Sequence, residues 1–259
     1  MNEQQHWNKI ASSYNDEIFD VFASDRKKLL PAYLKKHRKK DGRALDFGCG
    51  NGKAFRLLSP LFHHVTGSDI SENLLIDASD RKFKNVTLLH RDLSDPEIDL
   101  PKSDFIFSCN VIMLPEAEAN NRMLLNIFKA LKKGGSCLLV VPSVESMMFS
   151  SWTLMNLYLK EGTMPQDINP EEFDYFNGTP QEISDGVFYI DGVPTRHYTA
   201  PQIEVMTREA GLKLTALERL EYNWESEIAD PPKDLKDPYP WDWLVECKKD
   251  KKPGAKNYK

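Results

Sequence analysis

The 259-residue chain is poor in every feature that would tie it to a membrane, a metal or a disulfide framework. Its four cysteines, Cys49, Cys109, Cys137 and Cys247, are scattered and never form a Cys-x-x-Cys pair, which argues against structural zinc. Three of them fall in predicted strands or a glycine turn, where a reduced thiol packs as a small apolar group, so a reducing cytoplasm is the expected setting. No stretch approaches 18 consecutive apolar residues, and the polar start Met-Asn-Glu-Gln-Gln-His lacks a signal-peptide pattern, so neither a membrane span nor a leader is expected. Positive charge is also short: the formal net charge is -5, which argues against a general nucleic-acid surface. No ligand-spaced cluster of His, Cys, Asp and Glu stands out, and no metal is expected.

What remains fits one α/β domain with insertions, large enough to bury a substantial core. Trp7, Ile10, Ala11, Tyr14, Ile18 and Phe22 follow helical spacing, and a second helix is predicted over 29–34. The basic run 35–40 after it reads as a solvated helix end favoured by the helix dipole, or as a phosphate- or acid-binding patch. Strands are predicted at 43–47, 64–69, 85–90, 104–110 and 136–142, the last a nearly continuous apolar run. A helix with Leu124, Ile127, Phe128 and Leu131 on one face precedes the fifth strand and is predicted to end at Lys132-Lys133-Gly134-Gly135. Thr199, Pro201 and Gln202 mark a helix start with a capping box, and two further strands are predicted at 212–222 and 241–247. Such alternation means a doubly wound, mostly parallel sheet whose ligands lie beyond the C-terminal strand ends. Residues 248–259 read as a charged, disordered tail.

The most informative stretch is Leu-Asp-Phe-Gly-Cys-Gly-Asn-Gly-Lys at 45–53. A strand ends on a carboxylate, and glycines at alternate positions, Gly48, Gly50 and Gly52, lead into a helix. Glycine permits φ > 0 and lets a ligand lie against bare backbone. Asp46 suits a cationic group and would repel a pyrophosphate. The dinucleotide fingerprint wants its third glycine where Lys53 stands, so a nicotinamide or flavin site matches poorly.

An acid followed by alternate glycines resembles motif I of the class I S-adenosylmethionine-dependent methyltransferases. The resemblance covers roughly residues 7–247. It implies a Rossmann-like, seven-stranded sheet of order 3-2-1-4-5-7-6, a helical cap over 1–40, and an acceptor lid over 144–198 after strand 5, within one domain spanning 1–247. It implies S-adenosylmethionine as cofactor, S-adenosylhomocysteine as product, and cofactor contacts at Asp46, Gly48, Cys49, Gly50 and Gly52. Asp69, closing the second strand, would accept from both ribose hydroxyls, although it also stands where a helix cap would; Ser71 is a natural N-cap beside it. Ile70 would pack on the adenine, and Asp92 with Leu93 would meet its edge. Asn110 and Val111 would lie beside the reactive methyl, and Tyr14 would either reach the methionine carboxylate or pack in the core.

In the predicted lid, Met147, Met148, Phe149, Trp152, Leu154, Met155, Leu157 and Tyr158 suggest an apolar helix, followed by a hairpin over 187–198 turning at Asp191-Gly192. This wall suits a small or medium organic acceptor, and the competing reading is a dimer surface. His197 and Tyr198 would enter the cleft as catalytic groups, the histidine taking a proton, or His197 would be a surface residue. Glu171, Glu172 and Asp174 would hold a cationic acceptor or form a solvated face. Neither an Asn/Asp-Pro-Pro-aromatic motif nor a Pro-Cys follows the fourth strand, so nucleic-acid bases are set aside as acceptors. The expectation is methyl transfer to a nitrogen or oxygen of a small molecule by a cytoplasmic monomer or homodimer. The alternatives are a protein (lysine) methyltransferase and a non-catalytic S-adenosylmethionine-binding module.

Overall fold

The computed structural model describes residues 3–11 and 19–250 of the chain. Helices α1 (Glu3–Ile10), α2 (Val21–Ser24) and α3 (Leu29–Lys36) precede the sheet. The buried Asp25 carboxylate accepts from the Leu29 and Leu30 N–H groups at 3.0 and 2.9 Å, satisfying donors that the first turn of α3 leaves without partners. Then follow β1 (Lys39–Phe47), α4 (Phe55–Leu58), β2 (Phe62–Asp69), α5 (Glu72–Asp80), β3 (Val86–His90), β4 (Ser103–Cys109), α6 (Ala117–Ala130) and β5 (Leu131–Pro142). An insert carries α7 (Val144–Lys160), α8 (Pro180–Ser184) and the hairpin strands β6 (Val187–Ile190) and β7 (Val193–Arg196). The chain closes with α9 (Ala200–Glu209), β8 (Leu212–Glu221) and β9 (Trp241–Lys249).

The main sheet has seven strands in the order β3-β2-β1-β4-β5-β9-β8, as the resemblance implies, with β8 and β9 as its sixth and seventh strands. The first five run parallel, and β9 is antiparallel to both neighbours. Period-two alternation sorts the side chains. Leu45, Phe47, Ile106, Leu139 and Val141 face the core under α6 and α9, whereas Ala44, Phe105, Phe107, Leu138 and Val140 face the core under α3, α4 and α5. Both faces are covered, and the crevice at the C-terminal strand ends is left for a ligand.

Several expectations need adjustment. The strand predicted at 43–47 starts at Lys39, which cuts the basic run in two; Lys36 pairs with Glu246 and Lys39 with Asp104, both at 2.8 Å. The helix before β5 stops at Ala130, because Leu131 is already paired with Ser103 in the sheet core. Lys132 consequently reaches Asp104 at 2.7 Å from the strand and does not cap a helix. β9 runs on to Lys249, so the tail predicted from 248 begins as paired strand; residues 251–259 lie outside the described residues.

The capping box at Thr199 is formed, with Gln202 N–H donating to Thr199 Oγ1 at 3.3 Å and Thr199 N–H to Gln202 Oε1 at 2.8 Å. The hairpin turns at Asp191 (φ 49°) and Gly192 (φ 76°), the paired positive φ of a type I′ turn. Helix α7 departs from the apolar wall expected of it. Its buried positions are Ser146, Ser150, Ser151 and Thr153, whereas Met148, Trp152 and Leu159 face solvent. The insert is nonetheless locked in place: the Arg196 guanidinium donates to Pro115 O and Asp185 O, and Arg196 N–H donates to Met113 O. These bonds hold the hairpin to the loop that follows β4.

Candidate active site

The glycine turn is built by close approach. Gly48 N–H and Cys49 N–H both donate to Ser68 O, at 2.8 and 3.0 Å, tying the end of β1 to β2. Gly48 has φ +81°, and a Cβ there would lie 2.2 Å from a Val111 methyl. Only hydrogen fits between the turn and the loop after β4. Gly50 N–H donates to Asp69 Oδ2 at 2.8 Å, and Ser71 N–H to Asp69 Oδ1 at 2.9 Å. Asp69 is thus a structural tie as well as a candidate sugar ligand; each carboxylate oxygen keeps a further lone pair. Ser71 caps α5 through Leu74 N–H, as the sequence suggests.

Two adjoining cavities open at the strand ends. The first is lined by Gly48, Gly50, Asp69, Ile70, Asp92, Leu93, Asn110 and Val111, all of them predicted contacts, together with Trp7. Asp92 stands at its exposed rim, its Oδ1 held by the N–H and hydroxyl of Ser94. The second cavity, of about 900 Å³, takes in Asp46, Gly48, Cys49, Asn110 and His197, and the hairpin forms one wall. Met147 is the α7 residue that reaches it. Gly52 and Tyr198 line neither cavity. Gly52 serves the turn, packed on Phe55. Tyr198 is drawn into the hydrophobic core, where burial raises its hydroxyl pKa; expected in the cleft, it is a core residue. Tyr14 lies outside the described residues.

Electrostatics set the character of the crevice. Asp46 is 2 % exposed and its Oδ2 has no hydrogen-bond partner. Burial, reinforced by the neighbouring Asp69, pushes its carboxyl up to about 8. Burial also raises Asp69, against the pull of its backbone N–H bonds. His197 is buried, and burial lowers its pKa to about 4. Its Nδ1 lies 3.1 Å from Thr195 O, which only accepts, so Nδ1 carries the hydrogen and Nε2 is bare. At neutral pH this ring is a fixed hydrogen-bond acceptor, a weaker base than the sequence reading assumed.

Among the lining residues that sequence reasoning missed are Tyr222, Asp242 and Glu227. Tyr222 Oη donates to Asp242 Oδ2 at 2.8 Å, and Asn110 Nδ2 approaches the same oxygen at 3.5 Å. Burial raises Asp242 to about 6. Glu227, exposed to the cavity it lines yet closely surrounded by protein, is raised by burial to about 7. The one usable signal was Asp242 between Trp241 and Trp243, a lone acid in an otherwise apolar strand start.

Comparison with known proteins agrees with this arrangement. Residues 44–135 match a family described as a methyltransferase domain. No curated protein sequence matches the chain. Among solved structures, a SAM-dependent methyltransferase of Methanosarcina mazei is similar with TM-score 0.62 at 17% identity, covering 84% of this chain and 97% of that one. The 1,6-didemethyltoxoflavin-N1-methyltransferase of Burkholderia thailandensis, crystallised with bound 1,6-didemethyltoxoflavin and S-adenosylhomocysteine, gives 0.61 at 15% identity, covering 97% and 92%. The N-methyltransferase NodS of Bradyrhizobium japonicum, in complex with S-adenosylhomocysteine, gives 0.59 at 12% identity, covering 96% and 99%.

Proposed function

We propose that the chain is a class I S-adenosylmethionine-dependent methyltransferase that methylates a nitrogen or oxygen of a small organic acceptor. The observation that carries this reading is the second cavity. It meets the first cavity at Gly48 and Asn110 and is walled by aromatic side chains, carboxylates and the Arg196-tethered hairpin. Its volume suits a small molecule.

The residues present fit the methyl donor. Asp46 offers a buried, unpartnered carboxylate oxygen to an ammonium group, and the Gly48 turn exposes backbone that a Cβ would obstruct. Asp69 has lone pairs for sugar hydroxyls, and Ile70, Leu93 and Val111 supply apolar surface for a base. S-adenosylmethionine, when bound, supplies a methyl group already made electrophilic by its sulfonium. What the chain contributes is alignment of the acceptor with that methyl, exclusion of water under the hairpin, and a place for the acceptor's proton. The insert from 144 to 198 acts as the acceptor lid, and His197 offers the acceptor a neutral nitrogen.

The test is calorimetric titration with S-adenosylhomocysteine, followed by a radiolabelled methyl-transfer screen against metabolites and cell lysate. Binding together with label on a small molecule supports the proposal. Label on a polypeptide would favour lysine methylation, and binding without turnover a regulatory module. Binding of NAD(P) in place of S-adenosylhomocysteine would overturn the reading.

A further inference from the structure

The larger cavity is lined by acids beyond those that the methyl-donor contacts use. Asp242 and Glu227 line it, in addition to Asp46. Lys53, the one lysine or arginine among its described lining residues, is ion-paired with Asp20 at 3.1 Å. Asp242 and Glu227 therefore have no lining lysine or arginine beside them.

Two independent features mark this as a receiving site. The buried Asn110 Oδ1, at the junction of the cavities, has no partner. An amide oxygen left open calls for a donor on the ligand. Asp242 is also held in a set orientation: Tyr222 and Asn110 both address its Oδ2, and no described group hydrogen-bonds its Oδ1. Phe19, Phe22 and Phe107 supply apolar wall alongside. The complement is a molecule with an apolar body and a protonated amine.

We infer that the acceptor is an amine, with Asp242 binding its ammonium form and taking its proton, and Tyr222 acting as the positioning residue that orients the carboxylate. This rests on the methyltransferase reading above and narrows its substrate class. The proton passes from the ammonium nitrogen to Asp242. The freed nitrogen lone pair forms the new C–N bond as the bond between methyl carbon and sulfur breaks, and that bond's electron pair stays on sulfur. The positive charge of the sulfonium is thereby transferred to the methylated ammonium product, and Asp242 releases its proton to solvent.

Groups facing Asp242 come from each adjoining segment: Tyr222 after β8, Cys109 and Asn110 at the end of β4, and Glu227 in the connection to β9. Burial raises Asp242 to about 6, so it can hold or release a proton near the neutral range.

The experiment uses the full chain saturated with S-adenosylhomocysteine and three probes of one shape, phenethylamine, 2-phenylethanol and phenylacetate, titrated calorimetrically at pH 7.5. Phenethylamine is expected to bind at least tenfold more tightly than the alcohol, and phenylacetate more weakly than both. Asp242→Asn is expected to remove the amine preference while S-adenosylhomocysteine affinity stays within twofold of wild type. Tyr222→Phe, which keeps the ring, is expected to reduce the preference and shift its pH dependence. Equal affinity for amine and alcohol, no binding of either, or an amine preference that survives Asp242→Asn would overturn the inference. Failure of S-adenosylhomocysteine itself to bind would instead strike the methyltransferase reading, so the two failures are distinct.

Discussion

Binding of S-adenosylhomocysteine should release a proton, and Asp46 should be its source. The Asp46 carboxyl is raised to about 8 by burial and by Asp69, so most molecules carry it protonated at pH 7. An ammonium group placed beside the unpartnered Oδ2 stabilises the ionised form and drives the proton off. With a free-state value near 8, the release should be roughly 0.9 proton per site at pH 7, about 0.5 at pH 8 and below about 0.1 at pH 9. Titrations in phosphate and in Tris, whose ionisation enthalpies differ widely, measure this directly. Asp46→Asn should abolish the buffer dependence. The same linkage governs stability without ligand. A carboxyl raised above its unfolded value of about 3.9 contributes fully below that pH, and its contribution is lost as pH rises through about 8. The ligand-free Tm should therefore fall between pH 5 and 8, and the ligand should raise it more at the alkaline end. Identical binding heats in the two buffers at pH 7, or an undiminished release in Asp46→Asn, would refute the reasoning.

Gly48→Ala sets a Cβ 2.2 Å from Val111 at φ +81°, so it should lower Tm and weaken S-adenosylhomocysteine binding, with Val111→Ala restoring part of the loss in calorimetry. Asp69→Ala removes the acceptor for Gly50 N–H and Ser71 N–H as well as a sugar contact, and should cost about 1–3 kcal/mol of S-adenosylhomocysteine affinity; an unchanged affinity removes Asp69 from the site. His197→Ala should lower turnover while the pH–rate profile keeps its shape, because a group near 4 does not titrate in the neutral range; a lost neutral inflection would contradict the assignment. Thr199→Ala breaks the capping box of α9 and should cost about 1 kcal/mol in denaturant unfolding, with methyl transfer unaffected.

Much of the first cavity was legible because its lining is local. Gly48 and Gly50 show themselves by type and spacing, and Asp46, Asp69 and Asp92 each stand at or just beyond the end of a predicted strand. Since parallel strands of one sheet end on one side, residues at strand ends assemble without further information. Tyr198 misled because a tyrosine beside a strand terminus carries no mark of which way its ring turns, and the core took it. The α7 stripe misled for a related reason: apolar content says that a helix is apolar, whereas its serines, being small, were what fitted against the body of the protein.

The acceptor half depended on contacts distant in sequence. Asn110 and Asp242 are 132 positions apart, and Tyr222 meets Asp242 only because β8 and β9 pair at Leu220 and Asp242. The strands themselves and the glycine turn follow from short-range pattern, whereas the strand order was implied by the family resemblance. Charge state follows from neither: Asp46 and Asp242 are ordinary carboxylates in the unfolded chain, and burial together with their folded neighbours brings them near neutrality. The sequence by itself determined which residues stand at the glycine turn and the strand ends; the packing of β9 and the insert over those ends decided what surrounds the second cavity, because only folding brings those groups out of water and together.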